Sequence, residues 1–174
     1  MGGMPQLIKP TARLHRAWLE SRDEWVRGTH QAGAGLRPAD EPDSPAGFAA
    51  WVARLHAEED ESITPTPGWV HCSYWWMVEG DRILGAISLR HELNDMLLDH
   101  GGHIGYGVRP SERRRGLASW ALTETLVPAR ELGLDRVLVC CSDDNVGSAR
   151  TIEKAGGVLE DIRADHRRYW IAIS

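Results

Sequence analysis

Val108-Arg109-Pro110-Ser111-Glu112-Arg113-Arg114-Arg115-Gly116-Leu117-Ala118 is the stretch on which the reading of this chain turns. An apolar, β-favouring run from His103 to Arg109 leads into it and is closed by Pro110. After it, Leu117, Ala118, Ala121, Leu122, Leu126 and Ala129 recur at helical spacing, predicting a helix over about Arg115 to Leu132. The segment is therefore strand, polar turn, helix. A helix N-terminus leaves several N–H groups unpaired and carries the positive end of the helix dipole. Gly116 has no side chain to obstruct an incoming anion, so this junction predicts a phosphate cradle. Arg113, Arg114 and Arg115 add charge-assisted donors. Two other phosphate motifs are excluded. There is no G-x-x-x-x-G-K-[ST], and Gly105-x-Gly107 lies inside the strand, not at its exit. The bland alternative is a capped helix with a solvated arginine cluster.

Working outward, Leu7–Thr11 reads as a short strand and residues 12–27 as a helix through Leu14, Ala17, Trp18, Trp25 and Val26. Repeated Gly and Pro make 28–45 a loop. Ser44-Pro45 opens a second helix, Ser as cap and Pro in the first turn, which Phe48, Trp51, Val52 and Leu55 carry to about residue 58. An acidic, Pro-rich loop spans Glu58 to Gly68. Val70–Glu79 and Arg82–His91 are strand-like runs joined at Glu79-Gly80-Asp81, a hairpin signal. Residues 92–101 connect to the central strand. Pro128 is expected to kink the long helix, and Gly133 ends it. Val137–Cys141 is a buried strand. Residues 145–155 form a helix stopped by Gly156-Gly157, and Val158–Ile162 and Arg168–Ile173 are the last strands. The order predicts one α/β domain over 1–174, with a central mixed, mostly antiparallel sheet of about six to seven strands and about four helices.

Composition narrows the class. With 174 residues, 42% of them hydrophobic and 26% charged, the chain can build one core. No apolar run approaches the roughly 18 residues of a membrane helix, and the N-terminus has no basic and apolar leader, so no membrane role is expected. Cys72, Cys140 and Cys141 form neither a disulfide framework nor a C-x-x-C site, which fits a reducing, cytoplasmic compartment. A net charge of -5 argues against nonspecific nucleic-acid binding. Against that background the arginines at 109, 113, 114 and 115 are a local exception. His91, His100 and His103 have no specific metal-ligand spacing, and His91-Glu92 lacks the second His of a zinc-protease helix, so no metal is expected.

The stretch V-R-P-S-E-R-R-R-G-L-A resembles the acetyl-coenzyme A signature of the GNAT N-acetyltransferases: a strand ending in Val-x-Pro, then [R/Q]-x-x-G-x-[G/A]. Arg113, Gly116 and Ala118 fill the three defined positions. Downstream, the run from Asp144 to Gly157 resembles that family's second landmark, an Asn at a helix start and a glycine closing the helix. The order of elements is similar over nearly the whole chain. The L-R-H-x-L-N and G-G-H-I-G-Y-G-V-R-P runs resemble a group of bacterial members whose substrates the sequence does not name.

The resemblance implies roles. Backbone groups of Tyr106 and Val108 would pair with the pantetheine arm of acetyl-CoA, and amides from Arg114 through Arg115, Gly116, Leu117 and Ala118 to Ser119 would hold the pyrophosphate. The arginine side chains would assist, and Asn145 and Ser148 would meet the far side of the cofactor. An amine would attack the thioester directly. The family often places a general-acid tyrosine where this chain has Ile152, leaving Tyr169, Ser148 or water as substitutes. The base is often a Glu near the start of the central strand, where this chain offers His103. Alternation sets His103 on the opposite face from Ile104, Tyr106 and Val108, so base and structural roles both stand. The loops 28–45 and 92–101 are expected to shape the acceptor site, with His91 and Asn94 as its polar residues. The acceptor is expected to be a small-molecule or peptide amine, and a homodimer is compatible. The alternative to an N-acetyltransferase is a non-catalytic acyl-CoA-binding or sensing domain.

Overall fold

The computed structural model describes residues 3–173. Strict alternation builds its centre. Along β2 (Cys72–Glu79), Tyr74, Trp76 and Val78 face one way and Met77 the other; β3 (Arg82–Arg90) pairs with it antiparallel across the turn at Gly80-Asp81. β1 (Gln6–Ile8) adds to the outer edge of β2, and β4 (Ile104–Val108) runs antiparallel to β3. β5 (Arg136–Ser142) is the sole parallel neighbour, beside β4. β7 (His166–Ala172) and β6 (Val158–Arg163) complete a seven-stranded sheet in the order β1-β2-β3-β4-β5-β7-β6.

The two faces carry separate cores. α3 (Leu117–Glu131) and α4 (Val146–Lys154) cover one, burying Leu117, Leu122 and Ile152 against Ile87, Ile104 and Val139. α1 (His15–Arg22) and α2 (Pro45–Glu58) cover the other, where Trp18, Phe48, Trp51 and Trp76 pack edge to face or tilted at 4.9–6.0 Å between ring centres. Ser44 caps α2 as expected, accepting from the Gly47 N–H at 3.0 Å.

Four details depart from the sequence pattern. α1 stops at Arg22 instead of running to 27, because Glu24 is drawn away to Arg109 and to the Ser111 N–H. β1 ends ahead of Pro10, which has no N–H for a ladder. α3 continues as one 15-residue element through Pro128, which falls in its last turn, where only one intrahelical bond is lost. β6 and β7 are joined by a tight turn at Ala164-Asp165, both at positive φ (46° and 64°), a hairpin that no glycine announced.

Candidate functional site

β4 and β5 pair at one position only, Ile104 with Val139. Beyond it the strands part: β5 stays with β7 as far as Ser142, and β4 stays with β3 as far as Val108. The β3–β4 ladder fixes which way backbone groups point. The His103 C=O accepts from Arg90 and the Arg109 N–H donates to Leu84, each at 2.7 Å. Odd-numbered residues therefore address β3, and the N–H and C=O of Tyr106 and Val108 face the gap. Arg113 Nε already donates to the Val108 carbonyl at 3.1 Å, leaving Tyr106 the less encumbered of the two.

A cavity of about 590 Å³ fills this gap and extends over the start of α3. Gly116 caps α3 in the left-handed region at φ 75°, with open space where a side chain would sit. The first helical bond runs from Trp120 N–H to the Gly116 carbonyl at 3.0 Å. The amides of Leu117, Ala118 and Ser119 thus have no acceptor within the helix, and all three residues line the cavity. Arg113 and Arg114 line it too, and neither has a carboxylate partner among the described residues. Arg115 is a correction to the sequence reading: its side chain turns away to Glu79 at 2.8 Å and to Glu112, and does not line the cavity. Glu112, held by Arg82 and Arg115, keeps its carboxyl below the usual range and is neutralised beside the cradle.

The facing wall comes from α4. Asn145 caps its own helix, Oδ1 accepting from the Ser148 N–H at 3.1 Å, and Asn145, Ser148 and Thr151 line the cavity. The Tyr106 hydroxyl lies 2.6 Å from Ser148 Oγ. Burial pushes that phenol up to about 12, so it remains a proton donor at neutral pH. The sequence assigned Tyr106 only a backbone role. Its side chain had no signal beyond its even-numbered place on the strand.

Both groups expected to do chemistry lie elsewhere, and so does the isoleucine at the family's tyrosine position. Ile152 is fully buried in the core. Tyr169 is 1% exposed, and its hydroxyl donates to Glu153 Oε2 at 2.9 Å, away from the cavity. His103 is also a correction. It is buried, its ring Nδ1 accepts from the Leu138 N–H at 2.9 Å, and its backbone N–H donates to the Leu138 carbonyl at 2.7 Å. Burial, with the charge of Arg90 nearby, pushes its imidazole down to about 4. It pins β4 to β5 at the closed end of the gap and lines neither cavity.

A second cavity, of about 230 Å³, lies against the β2–β3 face beneath the 28–37 loop and the 94–97 segment. The loop crosses β3 and β4 at Gly33, where a Cβ would meet the Gly105 carbonyl oxygen at 2.7 Å and that of Ala86 at 2.8 Å, so only glycine permits the approach. Glu58, paired with Arg37 and Arg54, is the carboxylate in the wall, and burial pushes its carboxyl up. The Arg37 guanidinium stacks 3.7 Å above the Trp69 ring. Asn94 lines this cavity, but both ends of its amide are used, on the Gly68 carbonyl and the Leu97 N–H. His91 does not line it; its ring bridges Ser73 Oγ at 2.8 Å and Glu61 at 3.2 Å. His30, which the sequence reading passed over, is the residue that lines both cavities.

A splayed strand pair beside a glycine-capped helix start defines a class, and comparison with known proteins agrees. Residues 9–158 match the profile of the Acetyltransferase (GNAT) domain family. The chain belongs to that family. An uncharacterized N-acetyltransferase of Bacillus subtilis, YjdG, is 32% identical over 79 residues, a match spanning 41% of this chain and 42% of that protein. The ribosomal-protein-S5-alanine acetyltransferase of Vibrio fischeri superposes with a TM-score of 0.67 at 15% identity, covering 100% of this chain and 97% of that one. The N-acetyltransferase PseH of Campylobacter jejuni, solved with acetyl coenzyme A, superposes with a TM-score of 0.61 at 12% identity, covering 98% and 100%.

Proposed function

We propose that this protein transfers an acetyl group from acetyl-CoA to an amine by direct attack on the thioester. The observation that carries this reading is a pair of cavities that share His30 in their walls. One offers three unpaired helix amides and two arginines without a carboxylate partner among the described residues, as a pyrophosphate requires. The other lies against the β2–β3 face and has His30 in common with it. The pantetheine arm would lie in the β4–β5 gap against the backbone of Tyr106, whose N–H would polarise the thioester carbonyl.

The amine lone pair attacks the carbonyl carbon and the C–S bond breaks. The amine proton passes to His30, an imidazole in both walls, and the thiolate takes a proton from the Tyr106–Ser148 pair. This replaces the earlier expectations for His103 and Tyr169 with groups that line the cavity.

The absence of a proton donor at Ile152 favours one rival, a domain that binds acyl-CoA without turnover. Calorimetric titration with acetyl-CoA, comparing wild type with Gly116→Asp, tests the cofactor site. The substitution places bulk and negative charge in the cradle, and an affinity loss of about 100-fold or more with unchanged circular dichroism is expected. Undiminished binding by the variant would refute the cradle. Release of thiol with amine acceptors separates transferase from sensor.

A further inference from the structure

Arg90 closes β3 and lines the second cavity. One edge of its guanidinium is engaged: Nη1 donates to the carbonyls of Gly101 and Gly102, each at 3.1 Å. The other edge is open. Among the described residues nothing accepts from Nε or Nη2, and no carboxylate lies within ion-pair distance. Neither nitrogen is sealed from solvent. The contrast with its neighbours is sharp. Arg37 has Glu58, and Arg54 has both Asp40 and Glu58. The cavity wall thus presents Arg37 and Arg90 against Glu58 alone, whose charge is already matched.

A half-buried guanidinium with a free Nε/Nη2 edge has the fork geometry that takes two carboxylate oxygens in parallel. Leu36, Trp69, Val70, Met96 and Leu97 give the wall an apolar side, and its uncharged polar side chains are those of His30, Tyr74, Ser88 and Asn94. A volume of about 230 Å³ falls below the roughly 300–1,000 Å³ of pockets that enclose drug-sized ligands. It suits one compact molecule better than a folded protein surface. His30 belongs to this wall and to that of the larger cavity.

We infer that the acceptor belongs to the amino acids: a small free amine whose own carboxylate is bound by the open edge of Arg90 and whose apolar side chain lies against Trp69 and Leu36. This inference rests on the acetyl-transfer reading for the identity of the reacting group, but the carboxylate site itself stands apart from catalysis. Arg90 is a binding residue for the acceptor, and the transferred acetyl never touches it.

Two measurements test it. In the first, phenylacetate and phenylacetamide, which carry the acid or its neutral amide and no amine, are titrated by calorimetry into the protein without any acyl donor. Phenylacetate is expected to bind at least about tenfold more tightly than the amide, and Arg90→Gln to abolish the difference. Arg90→Lys, which keeps a cation beside Gly101 and Gly102, is expected to retain a reduced preference. Equal binding of acid and amide by wild type, or no binding of either, overturns the inference whether or not the protein proves to be a transferase. In the second, acetylation of L-leucine and L-phenylalanine is compared with that of their amides. Wild type is expected to favour the acids by about tenfold or more in kcat/KM, and Arg90→Gln to lose that preference while its affinity for acetyl-CoA stays within about twofold. Acid and amide turned over equally by wild type would sink the assignment. Failure of acetyl-CoA to bind would instead strike the proposed function and leave the first measurement standing.

Discussion

The two cavities that share His30 are made of different materials. The larger is made of backbone: three helix amides, a left-handed glycine, and the peptide groups of β4 where β5 leaves it. The smaller is made of side chains, from residues as far apart as 37, 58, 69 and 90. Backbone donors need only a secondary-structure junction and a glycine in the right place, so eleven consecutive residues from Val108 to Ala118 suffice to announce them. Side-chain charges separated by twenty or thirty residues become a site only when a fold assembles them. The first kind of site suits a ligand common to a whole family. The second suits one that differs from member to member.

The seam between the two is where the comparison breaks most readily. Tyr106→Phe removes the hydroxyl beside Ser148 and keeps the ring. His30→Ala removes the imidazole shared by both cavities. Each is expected to lower kcat by about 100-fold while the affinity for acetyl-CoA moves less than about threefold. A parallel loss of affinity would make these groups part of the backbone-built site instead of chemistry at the seam.

His103 offers the next largest effect. Its imidazole titrates near 4 in the folded protein, against about 6.5 when unfolded. As pH falls from about 6.5 to 4, the unfolded chain takes the proton first. The stabilisation present above that window is therefore lost within it. Protonation also removes the acceptor that holds the Leu138 N–H at the closed end of the β4–β5 gap. Chemical denaturation at pH 7 and pH 5 is expected to show wild type losing about 2 kcal/mol more than His103→Gln, which keeps an acceptor there. Identical losses would mean that His103 is charged or solvated in the fold. The depressed carboxylates, such as Glu24 and Glu112, act in the same direction but lower in pH, and are common to both proteins.

The smallest effect tests neighbours. Arg114 lines the cradle and Arg115 does not. Arg114→Ala is expected to weaken acetyl-CoA binding by about tenfold and to steepen neither stability nor fold effects, whereas Arg115→Ala should leave affinity unchanged and lower the melting temperature slightly, by releasing Glu79 and Glu112. Equal losses of affinity would show that the cluster acts only through its summed charge.

Much of this was legible in advance, for reasons particular residues make plain. Ser44-Pro45 forecast the start of α2 to the residue, because capping is a local bond. The two apolar runs on either side of Gly80-Asp81 announced the β2–β3 hairpin, because a turn is also a local feature. The errors cluster where distant residues compete with local pattern. Trp25 and Val26 fit a helical spacing, yet the chain leaves the helix at Arg22 because Glu24 reaches Arg109, 85 residues away. Arg115 looks identical to Arg113 and Arg114 in sequence, and its pairing with Glu79 of β2 and with Glu112 separates it from them. Tyr169 and His103 carried suitable chemistry but were drawn into the core and the strand seam. His91 and Asn94 were read as polar loop groups, and the fold uses both as internal braces.

What the sequence determined by itself was the individual strands, the β2–β3 hairpin, the helix caps and the anion-ready turn at Gly116, because each depends on neighbours within a few residues. The tertiary structure alone decided that Tyr106 reaches Ser148, that His30 lines two cavities, and that Arg90 keeps one edge of its guanidinium free. Those facts depend on which side chains arrive from far along the chain and which ion pairs form first. No local pattern encodes them, because a side chain's partner is chosen by the packing of the whole fold.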